Sequence, residues 1–591
     1  MLPRLMRWLP FLILGALTQP RSPLAAAEPA VPIGTRVPNL TFKDIRYVNR
    51  SLDDFPKAKA FALVFVDAGC PMAQRYLPTL RQIDADYRDK GVVVLAVDSG
   101  PDSIPATAAL AVRHDCSFPF VKDFDAACAR ALGVTRTPEC AVLDAGRRLR
   151  YRGRIDDQYR PTGARSAPTT HELRDALDAV LAGKEVGVTT TPVDGCPITR
   201  ADPPEKKGVT FAKDVAPILK AHCQECHRPG TVAPFALQTY EQVKSRGKAI
   251  ADVVTDGRMP PWHAAPEYAE FVNRRGLSAD ERDTLLAWLR SPDRPRGDDA
   301  AAPEPLPPAG EWRIGTPDLV ITAAKHDLPA AGDVEYQYAV LPTVFWSDTW
   351  VQAIEIKPDN PRVLHHCNMA YVKPGEKFSV NNFVTGQVPG GVPMTLDHGV
   401  GFKIPAGSLL LLQIHYVTTG KPETCAISVG LKYARETVDK QLHLLYLATN
   451  RFAIPPFAPA HAVSVTRELP CDAIGVGLFA HMHLRGKDMT FRAKYPDGTD
   501  ETLLLIANYS FDWQQPYRWA FGAKRLPKGT RVECLAHYDN SPFNPFNPDP
   551  SATVKDGPQT YHEMMNGFMF YVDANEKLGL AIDEKTGRVK K

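Results

Sequence analysis

Two cysteines three positions apart and followed at once by a histidine, Cys223-Gln-Glu-Cys226-His227, have the spacing with which two thiols add to the vinyl groups of a haem while the adjacent imidazole ligates its iron. The motif predicts one covalently attached haem c. A zinc site would need a second ligand pair, and the sequence holds no other Cys-x-x-Cys. Further along, histidines recur at His365-His366, at His415 inside an apolar run, and at His481-Met482-His483. A strand would project His481 and His483 to one side, and a mid-strand His415 needs a buried partner. Three imidazoles suit copper, and two imidazoles with a thioether suit a copper that cycles through Cu(I); Met564 and Met565, in His562-Glu563-Met564-Met565-Asn566, can supply the sulfur.

A third chemical group stands near the N-terminus. Gly69-Cys70-Pro71-Met72 follows the apolar run Phe61–Val66 and precedes a helical stretch, which places Cys70 at a helix N-terminus, where the dipole lowers a thiol pKa. Ala73 stands where a local Cys-x-x-Cys pair would have its second cysteine, so a resolving thiol must come from elsewhere. Cys116, Cys128, Cys140 and Cys196 are the candidates.

The elements that position these groups fall into several units, as 591 residues require at roughly 150 residues per domain. Arg4 and Arg7, the apolar run Leu9–Leu17 and Ala25-Ala26-Ala27 have the order of a signal peptide, residues 1–27, with cleavage expected near Ala27. The apolar run is shorter than the roughly 20 residues that span a bilayer, and no later segment qualifies, so an exported protein, periplasmic or secreted, without an integral membrane segment is expected. Eleven cysteines would then meet an oxidising compartment; an odd count leaves at least one unpaired, and Cys367 with Cys425 and Cys471 with Cys534 are plausible disulfides by count. A net charge of +3 over this length gives no ground for nucleic-acid binding.

Residues 31–188 alternate apolar strands, Phe61–Val66 and Val92–Val97, with helices such as Pro71–Tyr87, an α/β pattern. Residues 208–295 read as all-α, with helices over Phe211–His222, Tyr240–Asp256 and Ser278–Leu289, the last opening with Ser278 and Glu281 at capping-box spacing. Residues 296–311, rich in Pro, Ala and acid, read as a linker. Beyond Trp312 short alternating runs at Val340–Phe345, Ser408–Val417 and Met489–Tyr495 are separated by turn residues, which predicts two all-β sandwiches, residues 312–432 and 433–575.

Each unit resembles a known family. Gly69-Cys70-Pro71-Met72 with Thr137-Pro138 before Ala141–Leu143 is similar to redoxin and thioredoxin-like domains, in which that proline is cis. The haem motif, Trp288 in the capped last helix and Arg258-Met259-Pro260-Pro261-Trp262 resemble class I cytochrome c, which implies Met259 as distal iron ligand, with His263 behind it. The histidine order, with Ala480-His-Met-His-Leu-Arg-Gly-Lys487 and Glu563-Met564, resembles the copper type II, ascorbate-dependent monooxygenases, the peptidylglycine hydroxylating and dopamine beta-monooxygenase family, whose sandwiches are jelly-roll-like. That resemblance implies two copper ions: an electron-transfer copper on His365, His366 and His415, and an oxygen-binding copper on His481, His483 and Met564. Phe479 and Phe568 stand where the peptide-hydroxylating members have arginine and tyrosine, and Met482 and Cys367 also depart from the pattern.

The expected function is hydroxylation of a small organic substrate with O2, electrons arriving through the haem from a one-electron donor, ascorbate or a redox protein. The alternatives are a haem and copper electron-transfer or sensing protein without oxygenase activity, and a thiol redox protein acting through Cys70.

Overall fold

The computed structural model describes residues 31–160, 163–199, 206–231, 233–265, 267–268 and 270–590. The expected signal peptide lies outside the described residues. Among the described residues no helix is long and apolar enough to cross a membrane.

The N-terminal unit is built on a seven-stranded mixed sheet. Its strands are β1 (Thr41–Asp44), β2 (Asn49–Ser51), β3 (Ala60–Val66), β4 (Val92–Asp98), β5 (Phe120–Lys122), β7 (Glu139–Asp144) and β8 (Leu149–Gly153), in the order β2-β1-β5-β4-β3-β7-β8; the two-residue strand β6 (Arg136–Thr137) stands apart. β3 is a continuous apolar run because helices cover both of its faces. Helix α1 (Pro71–Tyr87), with Met72, Tyr76, Leu77 and Leu80, shares one core with Val64 and Val94; Phe61, Phe65 and Val97 face the other. The fold is thioredoxin-like, as expected, and the Thr137–Pro138 peptide is cis.

The next segment is helical but more broken than its periodicity suggests. A π-helical turn, Phe211–Val215, leads into Ala216–His222. The expected helix Tyr240–Asp256 is two helices, Tyr240–Lys244 and Gly247–Asp256, because Arg246, whose backbone is not helical, caps the second. Ala279–Arg290 keeps its Ser278–Glu281 capping box. The expected linker, residues 296–311, is tied to the helical segment: Leu306 N–H donates to Gln224, and Ala309 N–H donates to Pro229 O.

The C-terminal region is mostly β, in two halves. In the first, Gln337–Val340, Leu409–Tyr416, Leu364–Val372 and Phe383–Gln387 form one sheet, and a second runs Leu319–Thr322, Ile427–Tyr433, Thr349–Pro358, Val400–Ile404; Ile354, Met369, Leu412 and Val429 join them in one core. In the second half His443–Ala448, Asn566–Asp573 and Ala473–His481 face a sheet of His461–Glu468, Arg531–Tyr538, Gly486–Lys494 and Asp500–Ile506 across Leu478, Phe491, Cys534 and Met569. The expected strand Val340–Phe345 ends at Val340, and Phe345 makes only an isolated bridge to Ser408.

The units dock on one another. Arg46 pairs with Asp539 at 2.9 Å and Lys43 with Asp256 at 2.7 Å, while Phe55 stacks on Phe543. Trp262 and Phe271, between two helices of the helical segment, insert into the aromatic core of the second β half, with Trp262 5.0 Å from Tyr517.

Candidate functional site

Two chemically distinct centres stand out. The first is a thiol pair. Cys70 is the N-cap of α1 and is 1% exposed. Its Sγ lies 2.8 Å from Sγ of Cys196, 126 residues away in sequence. Cys196 arrives on the short strand Cys196–Pro197, which pairs antiparallel with β6, Cys196 opposite Thr137. Burial pushes the Cys70 thiol up, but its hydrogen bonding with Cys196, with Thr137 and with the Ala73 backbone more than offsets it, and its pKa falls below the ordinary thiol value. Cys196 moves the other way, raised chiefly by its hydrogen bond to Cys70. The two thiols of the pair are therefore shifted in opposite directions, Cys70 toward easier ionisation and Cys196 away from it.

Of the four candidate partners for Cys70, the structure selects Cys196. Cys116 is buried and pushed up to about 12, and Cys128 and Cys140 are also raised by burial. All eleven cysteines are free thiols, so neither expected disulfide is present. Cys367 and Cys425 share the core of the first half unbonded, and Cys534 is enclosed in the second core while Cys471 lies beside Asp573.

The second centre gathers all five expected histidines. His366 and His415 are direct cross-strand partners, and a bulge between Leu364 and His366 breaks the alternation that would send His365 to the opposite face. The ligand atoms of His365, His366 and His415 lie within 4.8 Å of one another. His481 ends the strand Ala473–His481; His483 is in the following turn, not in the strand as expected. The Glu563 carboxylate holds that turn, accepting from the backbone N–H of His483 (2.8 Å), Arg485 (2.6 Å) and Met564 (3.3 Å). Burial pushes the Glu563 carboxyl up to about 8.

The two histidine groups, expected as separate sites, form one cluster. The His366 and His481 rings are 6.0 Å apart and those of His481 and His483 5.1 Å. Phe511 of the second half stacks on His365 at 4.8 Å, and Asp512 accepts from His365 Nε2 at 3.2 Å. Met564 is less committed: the Asn566 amide donates to its sulfur at 3.4 Å, and Asn566 pairs with His481 in the sheet.

Second contacts orient the rings. His481 Nδ1 donates to Gln514 (2.6 Å) and His483 Nδ1 to the His562 carbonyl (3.2 Å), which turns each Nε2 away from these partners. His415 Nδ1 and His483 Nε2 are buried without any hydrogen-bond partner. Burial depresses His366 and His483 well below the ordinary histidine value, His415 to about 3 and His481 to about 4, with neighbouring imidazoles adding to the effect at all four. Neutral imidazoles with orphaned buried nitrogens are a donor set for a transition-metal ion.

In the helical segment Cys226 N–H donates to Cys223 O, and His227 Nδ1 donates to Phe235 O at 3.1 Å, which leaves Nε2 for an iron. These residues fit a covalent haem. Met259 follows the helix Gly247–Asp256 and donates its N–H to Val253 O. His263 is buried toward Asn508, and burial pushes its imidazole down to about 4. A cavity walled by Cys226, Arg228, Arg313, Leu364 and His365 runs from the cysteine motif to the histidine cluster. A separate apolar cavity, with Phe383, Leu442, Val476, Phe479, Tyr517 and Phe570 in its wall, lies between the two β halves, and Phe479 packs on Phe568.

Sequence reasoning missed Glu563, Gln514, Phe511 and Tyr336, whose hydroxyl bonds His366 Nε2 at 3.0 Å. Glu563 alone carried a signal, its place between His562 and Met564.

The AhpC/TSA family profile matches residues 33–154. The N-terminal unit is a redoxin domain of that family. The thiol-disulfide oxidoreductase ResA of Bacillus thuringiensis subsp. konkukian is 26% identical over 117 residues, 20% of this chain and 66% of that protein, and ResA of Bacillus cereus gives the same figures. The chain thus spans just under two thirds of the length of these relatives. A hypothetical protein of Sinorhizobium meliloti 1021 is 30% identical over 29% of this chain and 95% of its own, with a TM-score of 0.27. A secreted Mycobacterium tuberculosis disulfide oxidoreductase is 16% identical over 24% of this chain and 96% of its own, with a TM-score of 0.19. Cys196 lies outside the matched residues, so the redoxin domain is completed by a segment the family match does not include.

Proposed function

We propose that the protein is an exported thiol-disulfide oxidoreductase in which Cys70 is the nucleophile and Cys196 the resolving thiol. The 2.8 Å approach of the two sulfurs carries this reading. The Cys70 thiolate attacks a substrate disulfide, forming a mixed disulfide and releasing one substrate sulfur as thiolate. Cys196 then attacks Cys70, releasing the second sulfur and closing a Cys70–Cys196 disulfide. The substrate gains two electrons and the pair loses two. Turnover of a disulfide reporter by the full chain tests the proposal: Cys70→Ser abolishes it, and Cys196→Ser accumulates the mixed disulfide. Unchanged turnover in Cys70→Ser would overturn it.

A second reading is favoured by the orphaned nitrogens of His415 and His483. In it, residues 312–432 and 433–575 are jelly-roll-like sandwiches and the histidine cluster is the centre of a copper-dependent monooxygenase acting on a small organic substrate. Copper held there supplies one-electron cycling and oxygen activation; His365, His366 and His415 hold one ion, and His481, His483 and Met564 the other. Gln514 and the His562 carbonyl orient the rings, and Phe511 keeps water from His365. Residues 208–295 are then a cytochrome c unit with Cys223, Cys226, His227 and Met259 around the haem, fed by ascorbate or a redox protein and joined to His365 by the shared cavity; residues 296–311 are the connection. Metal analysis after expression with a haem-attachment system tests it, with two coppers and one haem per chain expected. Absence of copper after reconstitution would overturn it.

A further inference from the structure

The thiol reading leaves a steric problem: Cys70 is 1% exposed, and against its sulfur lies the segment that carries its partner. Residues 195–198 lie along β6 as an added strand. Cys196 pairs with Thr137 and Pro197 with Arg136; Ile198 N–H donates to Thr135 O at 2.9 Å, and the Arg136 guanidinium donates to Gly195 O at 2.7 Å. The approach at Gly195 is so close that a Cβ there would fall 2.3 Å from Thr137 O. The strand is only two residues long and rests on few main-chain bonds, while its N-terminal side is pinned at Thr189–Thr191 to β8, through Arg152 N–H to Thr189 O and Thr191 N–H to Arg152 O. It is a short strip on a fixed tether.

Resting on the thiol reading, we propose that residues 195–198 are a tethered stand-in for the substrate, and that the substrate is an extended polypeptide disulfide which takes the same seat on β6. No outside disulfide can reach the Cys70 sulfur while Cys196 lies on it. Once the strip lifts, the freed edge offers Thr135 O, the Thr137 backbone and the Arg136 guanidinium, all of which an extended chain satisfies by strand addition. A small disulfide would leave them to water. After Cys70 has attacked and released the first substrate sulfur, the returning strip brings Cys196 to the mixed disulfide and reclaims the edge, so that resolution and product expulsion are one movement. The Cys196 proton and one taken from water end on the two substrate sulfurs, and a dithiol protein resets the pair by the reverse exchange.

The test uses the reduced full chain with two probes, oxidised glutathione and a synthetic ten-residue peptide carrying a mixed disulfide, with Cys70 alkylation by iodoacetamide alongside. Gly195→Val and, independently, Ile198→Pro should detach the strip without touching either sulfur. Each should raise Cys70 alkylation roughly tenfold or more, since several hydrogen bonds are lost. Each should also accelerate exchange with the peptide more than with glutathione. Alkylation at the wild-type rate in both variants would overturn the cover. Equal acceleration with both probes would overturn the polypeptide substrate while leaving the thiol reading intact. A Cys70 that alkylates readily yet exchanges with neither probe would overturn the thiol reading itself.

Discussion

The thiol pair and the histidine cluster are both assembled from distant parts of the chain, yet they are finished to different degrees. Cys70 and Cys196 have their sulfurs in contact and their thiols shifted in opposite directions. The imidazoles, by contrast, are all held neutral where a shift is present, and His415 Nδ1 and His483 Nε2 are buried with nothing to bond. Such orphaned nitrogens cost about 1–3 kcal/mol each, a cost an added ligand removes. The difference is that the two sulfurs of one centre satisfy each other, whereas the other centre leaves two buried ring nitrogens without a partner.

The largest separation of the two centres is expected from Cys70→Ser, which should cut disulfide exchange by about 10³-fold or more and leave copper uptake untouched; a joint loss of both would break the contrast. His366→Ala should weaken copper binding by about 100-fold in a competition titration, with exchange at Cys70 unaffected. Gln514→Ala removes only the partner of His481 Nδ1 and should weaken copper binding by about tenfold. The smallest effect concerns pH. The Cys70 thiol is depressed, so its alkylation, slow as it is under the covering strip, should keep its rate to a lower pH than that of an ordinary cysteine; Cys196→Ser removes the partner sulfur and should move the half-point upward. A half-point unmoved by that substitution would show that the helix end, not Cys196, sets the Cys70 acidity.

Legibility in the sequence followed locality. Helix α1 begins and ends where periodicity put it, because Cys70-Pro71 starts it and its apolar spacing faces one core. The mostly β character after Trp312 was readable from alternation, and the histidines themselves were readable as types. The bulge that turns His365 was not, because it is a property of pairing between two strands. The Cys70–Cys196 contact was one of four possibilities, since a pair closing over 126 residues leaves no local trace. The break at Ser245-Arg246 lay hidden inside a pattern that stays amphipathic on both sides.

The insertion of Trp262 and Phe271 into the second β half bears on how the chain can be divided. The proline-rich stretch before Trp312 looks like a natural place to cut, yet a fragment starting there would lose two aromatic side chains from the interior of its own far end. Trp262, Ala264 and Phe271 are, in packing, a detached piece of the C-terminal half spliced into the helical segment. Removing one module therefore leaves a hole in another, and the two are expected to be lost, kept and expressed as a single piece.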